Sequence, residues 1–405
     1  MTSAGWQRSC DNGLRWTTIA LGFCIPVSVA MDNLLLLVAL ACWIAGGQFS
    51  AKRSAIVRSP VALAALLLFG LLVIGLLWGT SAPGDGPHYV GKYLDLAFVG
   101  VFAWAFRDAN TRRHAGHALA CALGVSLALS LGLASGAVPE WWLLAGTPDY
   151  PSAFKLYLTH NILMAYGAFM FANMALRASQ PLQRRLYGAL AVLATFDVLF
   201  LVHGRTGQLI LVALLAYGFV VLRGWRGLAM TVITVVALGT AAYQGSASFQ
   251  MRLDRAAAEY KAWQPDVAAA EVSSLGLRME FYRNSLSLLR DRPLLGHGTG
   301  GFPAAYADKV RDSGMAATSN PHNEYLMIGV QVGIVGLACL VALFVVAWRL
   351  ARSLPPLECH LARGLVITFA IGSLLNCLLL DHTEGLLFAW MAALVSSARA
   401  SPAPA

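Results

Sequence analysis

The chain has 405 residues, 58% of them hydrophobic and only 12% charged, and carries a formal net charge of +9. An ordinary soluble domain has roughly 25% charged residues, so this composition excludes a conventional water-soluble globule and points to a membrane. The basic excess gives no support to nucleic-acid binding, because its distribution along the chain follows a bilayer.

Apolar runs fall at 16–31, 33–48, 60–79, 93–106, 116–134, 159–176, 186–201, 207–222, 226–243, 326–348, 361–380 and 383–398. A spanning helix needs about 20 largely apolar residues, and a few residues of boundary latitude bring most of these runs to that length. The sequence therefore reads as an all-α polytopic membrane protein with about twelve transmembrane helices. The least definite limits are those of the first pair, divided by Asp32 and Asn33, and the last, divided by Asp381 to Glu384. Because the first run leads directly into a second, no cleavable signal peptide is expected.

Twelve spans place both ends of the chain on one side, and alternate loops can then be compared. Seventeen of the 29 Lys and Arg fall in one set of short segments, only Lys92, Lys155 and Arg205 in the other, and nine in the long segment 244–325. By the positive-inside rule the termini are cytoplasmic and the long segment faces outward. Three regions result: 1–243 with nine helices and short loops, the large loop 244–325, and 326–405 with three helices and the C-terminus. The seven cysteines avoid the outward loops, Cys377 being placed within a span, so neither a disulfide nor a metal site is expected from them.

Along the outward face, 135–158 carries Trp141, Trp142, Tyr150 and Tyr157, suited to a headgroup boundary, followed by Lys155 and His160 at the end of the sixth span. Either cation could meet a ligand phosphate, although a lysine at an interface commonly snorkels. The seventh span ends in Val202-His203-Gly204-Arg205-Thr206-Gly207, which fixes Arg205 in a tight turn. Two glycines allow close backbone approach, and the next helix offers free N–H groups, so the turn suits a phosphate. Asp197, about two turns earlier, suits an interior polar network.

Within the long loop, 251–263 reads as a surface helix. Residues 273–290 read as an amphipathic helix capped by Ser273 or Ser274, with Arg278 one turn before Tyr282. The Gly-rich stretch from Arg290 to Phe302 lacks the context of a nucleotide site and reads as a compact turn folding the loop back on the membrane. His322 comes just before the tenth span, at the depth of a lipid phosphate. It is either a hydrogen-bonded structural residue or a general base.

Four motifs together carry a resemblance: Arg-Thr-Gly at 205–207, Leu-Arg-x-x-x-Tyr at 277–282, Pro-Leu-Leu-Gly-x-Gly-x-Gly at 293–300 and His-Asn-Glu-Tyr-Leu at 322–326. In this order, and on one membrane face, they resemble the O-antigen ligase and polymerase superfamily of bacterial membrane glycosyltransferases. The resemblance implies a GT-C-like helical fold in the cell inner membrane with one large periplasmic loop. It also implies transfer of a glycan from undecaprenyl pyrophosphate, with lipid A–core oligosaccharide as acceptor for a ligase. Arg205 and Arg278 match the family's phosphate-binding pair, His322 its proposed base, and Asp381 a further functional acid able to orient an arginine or His322. Asn323 and Glu324 lie in the base's motif. Asp32 is a rival base, with capping of the second span as its alternative role.

The residues suit that chemistry. A departing pyrophosphate gathers negative charge, and two arginines can hold it bidentately where other enzymes use a divalent metal. The outward segments contain no Asp-x-Asp and no His/Glu cluster with ligand spacing, so neither metal nor cofactor is expected. Alternatives are a polymerase lengthening lipid-linked O-units and a polar-lipid transporter. A transporter would place ionisable residues near mid-span, where only Asp95 and Asp197 come close.

Overall fold

The computed structural model describes residues 3–79, 81–82, 84–142, 145–202, 204–245, 247–262 and 274–398. Among them the ordered elements are helical. The chain opens with an antiparallel pair, α1 (Ser3–Cys24) and α2 (Val29–Ala45), whose second member is capped by the Ser28 side chain accepting from Met31 N. After a 117° bend follows α3 (Phe49–Val57), then α4 (Pro60–Ile74), started by Ser59 as N-cap and Pro60 in the first turn. Next come α5 (Asp85–Lys92), α6 (Asp95–Ala105), α7 (Ala109–Ala134), α8 (Tyr157–Arg177) and α9 (Pro181–Phe196). The last runs into a π-helical turn, Asp197–Leu201. The remaining helices are α10 (Arg205–Arg223), α11 (Arg226–Gly245), α12 (Ala247–Ala262), α13 (Ser274–Asp291), α14 (Phe302–Val310), α15 (Glu324–Leu350), α16 (Pro356–Gly372) and α17 (His382–Ser396).

Each apolar run of the sequence lies on a helix over more than half its length. By length and composition, four stretches among the described residues could cross a bilayer: Pro60–Leu77, Ala109–Ala134, Arg205–Arg223 and Glu324–Ser353. The bent pair α2 and α3 would make a fifth. Packing shows why many of the helices are uniformly apolar. α6 and α17 are buried almost all round, as is most of α8, and they form the centre of the molecule with α16. Around them α2, α9 and α11 turn Leu37, Leu182, Val192, Val232 and Ile233 outward. An exposed apolar belt of this kind is stable against lipid and not against water.

The structure departs from the sequence reading in three places. The first two apolar runs divide at 25–28 and not at Asp32 and Asn33, which both lie within α2. The run 361–380 stops being helical at Gly372, so 373–381 is an irregular turn, and Cys377 lies in it and outside a helix. The Gly-rich stretch does more than fold back: Pro293 to Leu295 are exposed, but Gly296 to Gly301 form a buried strap between two helices. Val332 and Gly333 break α15, and the strap meets the break: His297 N donates to Val330 O (2.8 Å), Gly298 N to Gln331 O (2.8 Å), and Ile334 N to Pro293 O (2.8 Å). On its other side Thr299 donates from N to Gly75 O (3.1 Å) and from Oγ1 to Leu72 O (2.6 Å), tying the strap to the end of α4. Gly298 and Gly300 have φ of 85° and 77° and sit backbone to backbone with Gly79 and Gly86. Here glycine is required twice over, for the left-handed conformation and for the approach. α13 begins at Ser274; the alternative cap Ser273, like His203, lies outside the described residues.

Candidate functional site

Arg205 is the first residue of α10, after the π-helical end of α9 and Gly204. Its turn is built from below by α8. Asn161 Nδ2 donates to Val202 O (2.5 Å) and Val198 O (3.3 Å), and Gly207 lies so close to Asn161 that a Cβ there would fall 1.6 Å from Oδ1. One residue earlier, His160 is buried with Nε2 3.1 Å from Asp197 Oδ2, while Ser130 Oγ donates to Asp197 Oδ1 (2.5 Å). Asp197 therefore sits in the interior network expected of it. His160 is a brace beneath the Arg205 turn, 2% exposed, and is not free to touch a phosphate. Arg205 itself is exposed. Gly204 brings no side-chain cap, so the first N–H groups of α10 remain available beside the guanidinium.

The turn 373–381 joins this corner to the rest of the site. Asn376 Nδ2 donates to Thr206 Oγ1 (2.6 Å) on one side. On the other, Leu374 O accepts from Tyr282 OH (2.8 Å) and from Asn323 Nδ2 (3.0 Å). Below, Glu324 is fully buried; its carboxylate accepts from Tyr93 OH (2.7 Å) and from Leu379 N (2.7 Å), and its own N donates to Ser373 O (2.9 Å). Asn323 caps α15 through Leu326 N (3.0 Å). Both motif residues thus shape the turn and have no atom left over for a substrate in this arrangement.

His322 differs from its neighbours. Its φ of 54° places a non-glycine residue in the left-handed region, held there by its N donating to Asn320 Oδ1 (2.8 Å). The Tyr282 hydroxyl also lies 3.1 Å from His322 O, so its single proton is shared between His322 O and Leu374 O. The imidazole stacks on Phe281, with centroids 6.3 Å apart and planes 24° from parallel, and neither ring nitrogen has a partner among the described residues. Burial, with the nearby positive charge of Arg278 adding to it, holds the imidazole below the usual histidine value. It is therefore neutral and able to accept a proton at pH 7. If this nitrogen acts as a base, the rate should be flat near neutrality and fall only below about pH 6.5. Arg278→Gln should move that acid limb upward in its residual activity; a limb that stays in place would separate the two residues.

The remaining candidates form a second group. Lys155 is buried, with Nζ donating to Thr383 Oγ1 (3.1 Å) and lying 3.8 Å from Asp32 Oδ2. Asp32 is fully buried and does not cap α2, a task that Ser28 performs. His382 Nδ1 meets Asp95 Oδ2 at 3.0 Å, so both mid-span acids of the sequence reading are paired in the interior. Asp381 is exposed at the start of α17 and forms no ion pair with Arg205, Arg278 or His322 among the described residues. The cation whose charge bears on it is Lys92. No three His, Cys, Asp or Glu converge to hold a metal among the described residues.

Sequence reasoning missed Asn376, Thr383, Tyr93 and Lys92. Asn376 had no signal at all, being one polar residue inside an apolar run. Tyr93 and Lys92 stand at the edge of an apolar run, where such residues ordinarily mark only the interface.

Residues 190–341 match the family model described as O-antigen ligase. An uncharacterized protein of Haemophilus influenzae is similar to this chain, 27% identical over 125 residues. The alignment covers 29% of the chain and 30% of that relative, so the chain spans less than a third of the relative's length. The family match takes in Arg205, Arg278, His322 and the glycine strap, and leaves out Lys155, His160, Asp32 and Asp381. It supports the O-antigen ligase superfamily to which the motifs pointed.

Proposed function

We propose, on the premise of that family relationship, that this chain is a glycosyltransferase of the bacterial inner membrane. It moves O-antigen polysaccharide from undecaprenyl pyrophosphate to a sugar hydroxyl of lipid A–core oligosaccharide. The observation that carries the reading is the neutral imidazole of His322, without a ring-nitrogen partner among the described residues and within the field of Arg278, joined to the Arg205 corner by the turn 373–381.

The accompanying arrangement has twelve spans in a GT-C-like fold, termini in the cytoplasm and 244–325 in the periplasm. The regions 1–243 and 326–405 make the membrane body. Arg205 and Arg278 hold the pyrophosphate, whose charge rises as the anomeric carbon–oxygen bond breaks. His322 takes the proton of the acceptor hydroxyl as its oxygen forms the new bond, from the face opposite the leaving group, with inversion. Because two guanidinium groups match phosphate oxygens bidentately and never deprotonate, the charge is met without a divalent ion. Lys155, Asp32 and Asp381 are supporting residues, Lys155 holding Thr383 and facing Asp32. His160, Asn323 and Glu324 position backbone.

Reconstitution with lipid-linked polysaccharide and lipid A–core, in the presence of a chelator, tests this. Transfer to the core should persist under chelation and fall about 10²–10³-fold in Arg205→Ala, the scale of removing one transition-state charge partner. Lengthening of the lipid-linked glycan with no core acceptor would assign a polymerase instead, and translocation without a covalent product would reject both.

A further inference from the structure

Along α10 away from Arg205, from Leu211 to Leu222 and so about 9–26 Å along a helix that rises 1.5 Å per residue, lies a feature that the transfer reaction does not use. A cavity of about 340 Å³ opens between α8, α9, α10 and α16. Its walls are apolar, with Ala172, Val192, Leu215 and Leu222 among them, and none of the residues of the transfer site lines it.

One end of this groove is cationic. Arg177, the last residue of α8, donates from Nη1 to both Asn173 O (3.1 Å) and Asn173 Oδ1 (3.0 Å), which fixes the guanidinium while leaving its other nitrogens open. Across the mouth, Tyr217 OH and His360 Nδ1 are 2.8 Å apart. Arg363, nearly one turn further along α16, lies over the ring of Trp348 at 5.3 Å, and its Nε is buried without a hydrogen-bond partner. Neither arginine pairs with a carboxylate among the described residues. Arg177 lines the groove, and Arg363 stands just behind its wall beside Tyr217 and His360, so two permanent charges without a carboxylate partner among the described residues lie at one end of an apolar groove of ligand size.

We propose that this groove binds an anionic phospholipid of the leaflet opposite the transfer site, one acyl chain within the groove and the phosphate on Arg177 and Arg363. Charge complementarity selects the occupant: a phosphate satisfies the open guanidinium nitrogens, whereas a zwitterionic headgroup brings its own cation to a mouth that already holds two. Bulk lipid tails explain the apolar walls but not the uncompensated arginines. The inference rests on the bilayer-spanning reading alone and not on the transfer chemistry.

The test is thermal unfolding and native mass spectrometry of the purified full chain with dioleoyl phosphatidylglycerol or dioleoyl phosphatidylethanolamine. Phosphatidylglycerol should bind and raise the unfolding midpoint, and phosphatidylethanolamine should not. The double variant Arg177→Gln, Arg363→Gln should weaken phosphatidylglycerol binding about thirtyfold, as expected for two charges near an anionic headgroup. Ala172→Trp keeps both charges and fills the groove, so it tests the chain-binding wall even if the double variant does not fold; it should abolish the bound lipid. Equal binding of the two lipids, undiminished binding in either variant, or displacement by undecaprenyl phosphate would overturn the assignment. Transfer activity is not the readout, so failure here leaves the proposed reaction standing.

Discussion

His322→Gly should lower glycan transfer about 10²–10⁴-fold while leaving the protein folded, the range a positioned general base contributes. The choice of glycine follows from the backbone. At φ 54° a histidine carries a left-handed penalty of roughly 1–2 kcal/mol that glycine escapes. Glycine in turn loses about 0.5–1 kcal/mol through its larger unfolded-state freedom, so the two terms nearly cancel. Loss of the stacking on Phe281 works against the variant, and the net change should stay within about 1 kcal/mol. Turnover of reconstituted protein and its unfolding midpoint, measured side by side, separate base from scaffold. Transfer within tenfold of the parent protein would remove His322 from the reaction, and a collapse of the midpoint would make it a structural residue.

Gly298→Ala should have the largest effect on folding. A Cβ at that position would sit 2.1 Å from Gly79 Cα and 2.5 Å from Gly79 N, both backbone atoms of a tied helix end, so no side chain can yield. Adding left-handed strain, the substitution should cost about 4 kcal/mol or more, at the upper end of single-residue effects. Gly136→Ala is the matched control. Its φ of 72° carries the same strain, but nothing lies within 4 Å of the added methyl, so the loss should be about 1 kcal/mol. Yield of monodisperse protein and the unfolding midpoint report the difference. Equal effects of the two substitutions would show that the strap is loosely held.

Much of the helical layout was legible because most apolar runs were bounded by charge, Gly or Pro; the first pair was not, since its charged boundary at Asp32 and Asn33 lies inside α2. The helices within the long loop were legible too: 251–263 appears as Ala247–Ala262 and 273–290 as Ser274–Asp291. The turn 373–381 was not, because Leu374, Leu375 and Leu378 to Leu380 read as continued span. What turns them out of a helix is tertiary: Glu324, Tyr282 and Thr206 take up the backbone and side-chain groups of that segment. For the same reason sequence could place His160 and Glu324 near the site but could not see that each would be consumed by a buried partner. The short α14 was missed because nine residues on a loop show little periodicity. His322 and Arg278, 44 positions apart in sequence, came under suspicion together only through a pattern of motifs. Their proximity is a property of how α13 folds back over the start of α15.

The break in α15 bears on how the chain is assembled in a bilayer. The carbonyls of Val330 and Gln331 have no complete helical ladder of their own, and in hydrocarbon each unsatisfied group costs several kcal/mol. The helix is therefore not a self-sufficient span on emerging from the insertion machinery. It becomes one when His297 and Gly298 return to donate to it. Synthesis delivers residues 293–300 some thirty positions earlier, so the partner already exists when the need arises. Insertion of this segment and docking of the large loop are in that sense a single event, and a chain severed between them would be expected to leave the membrane with both halves incomplete.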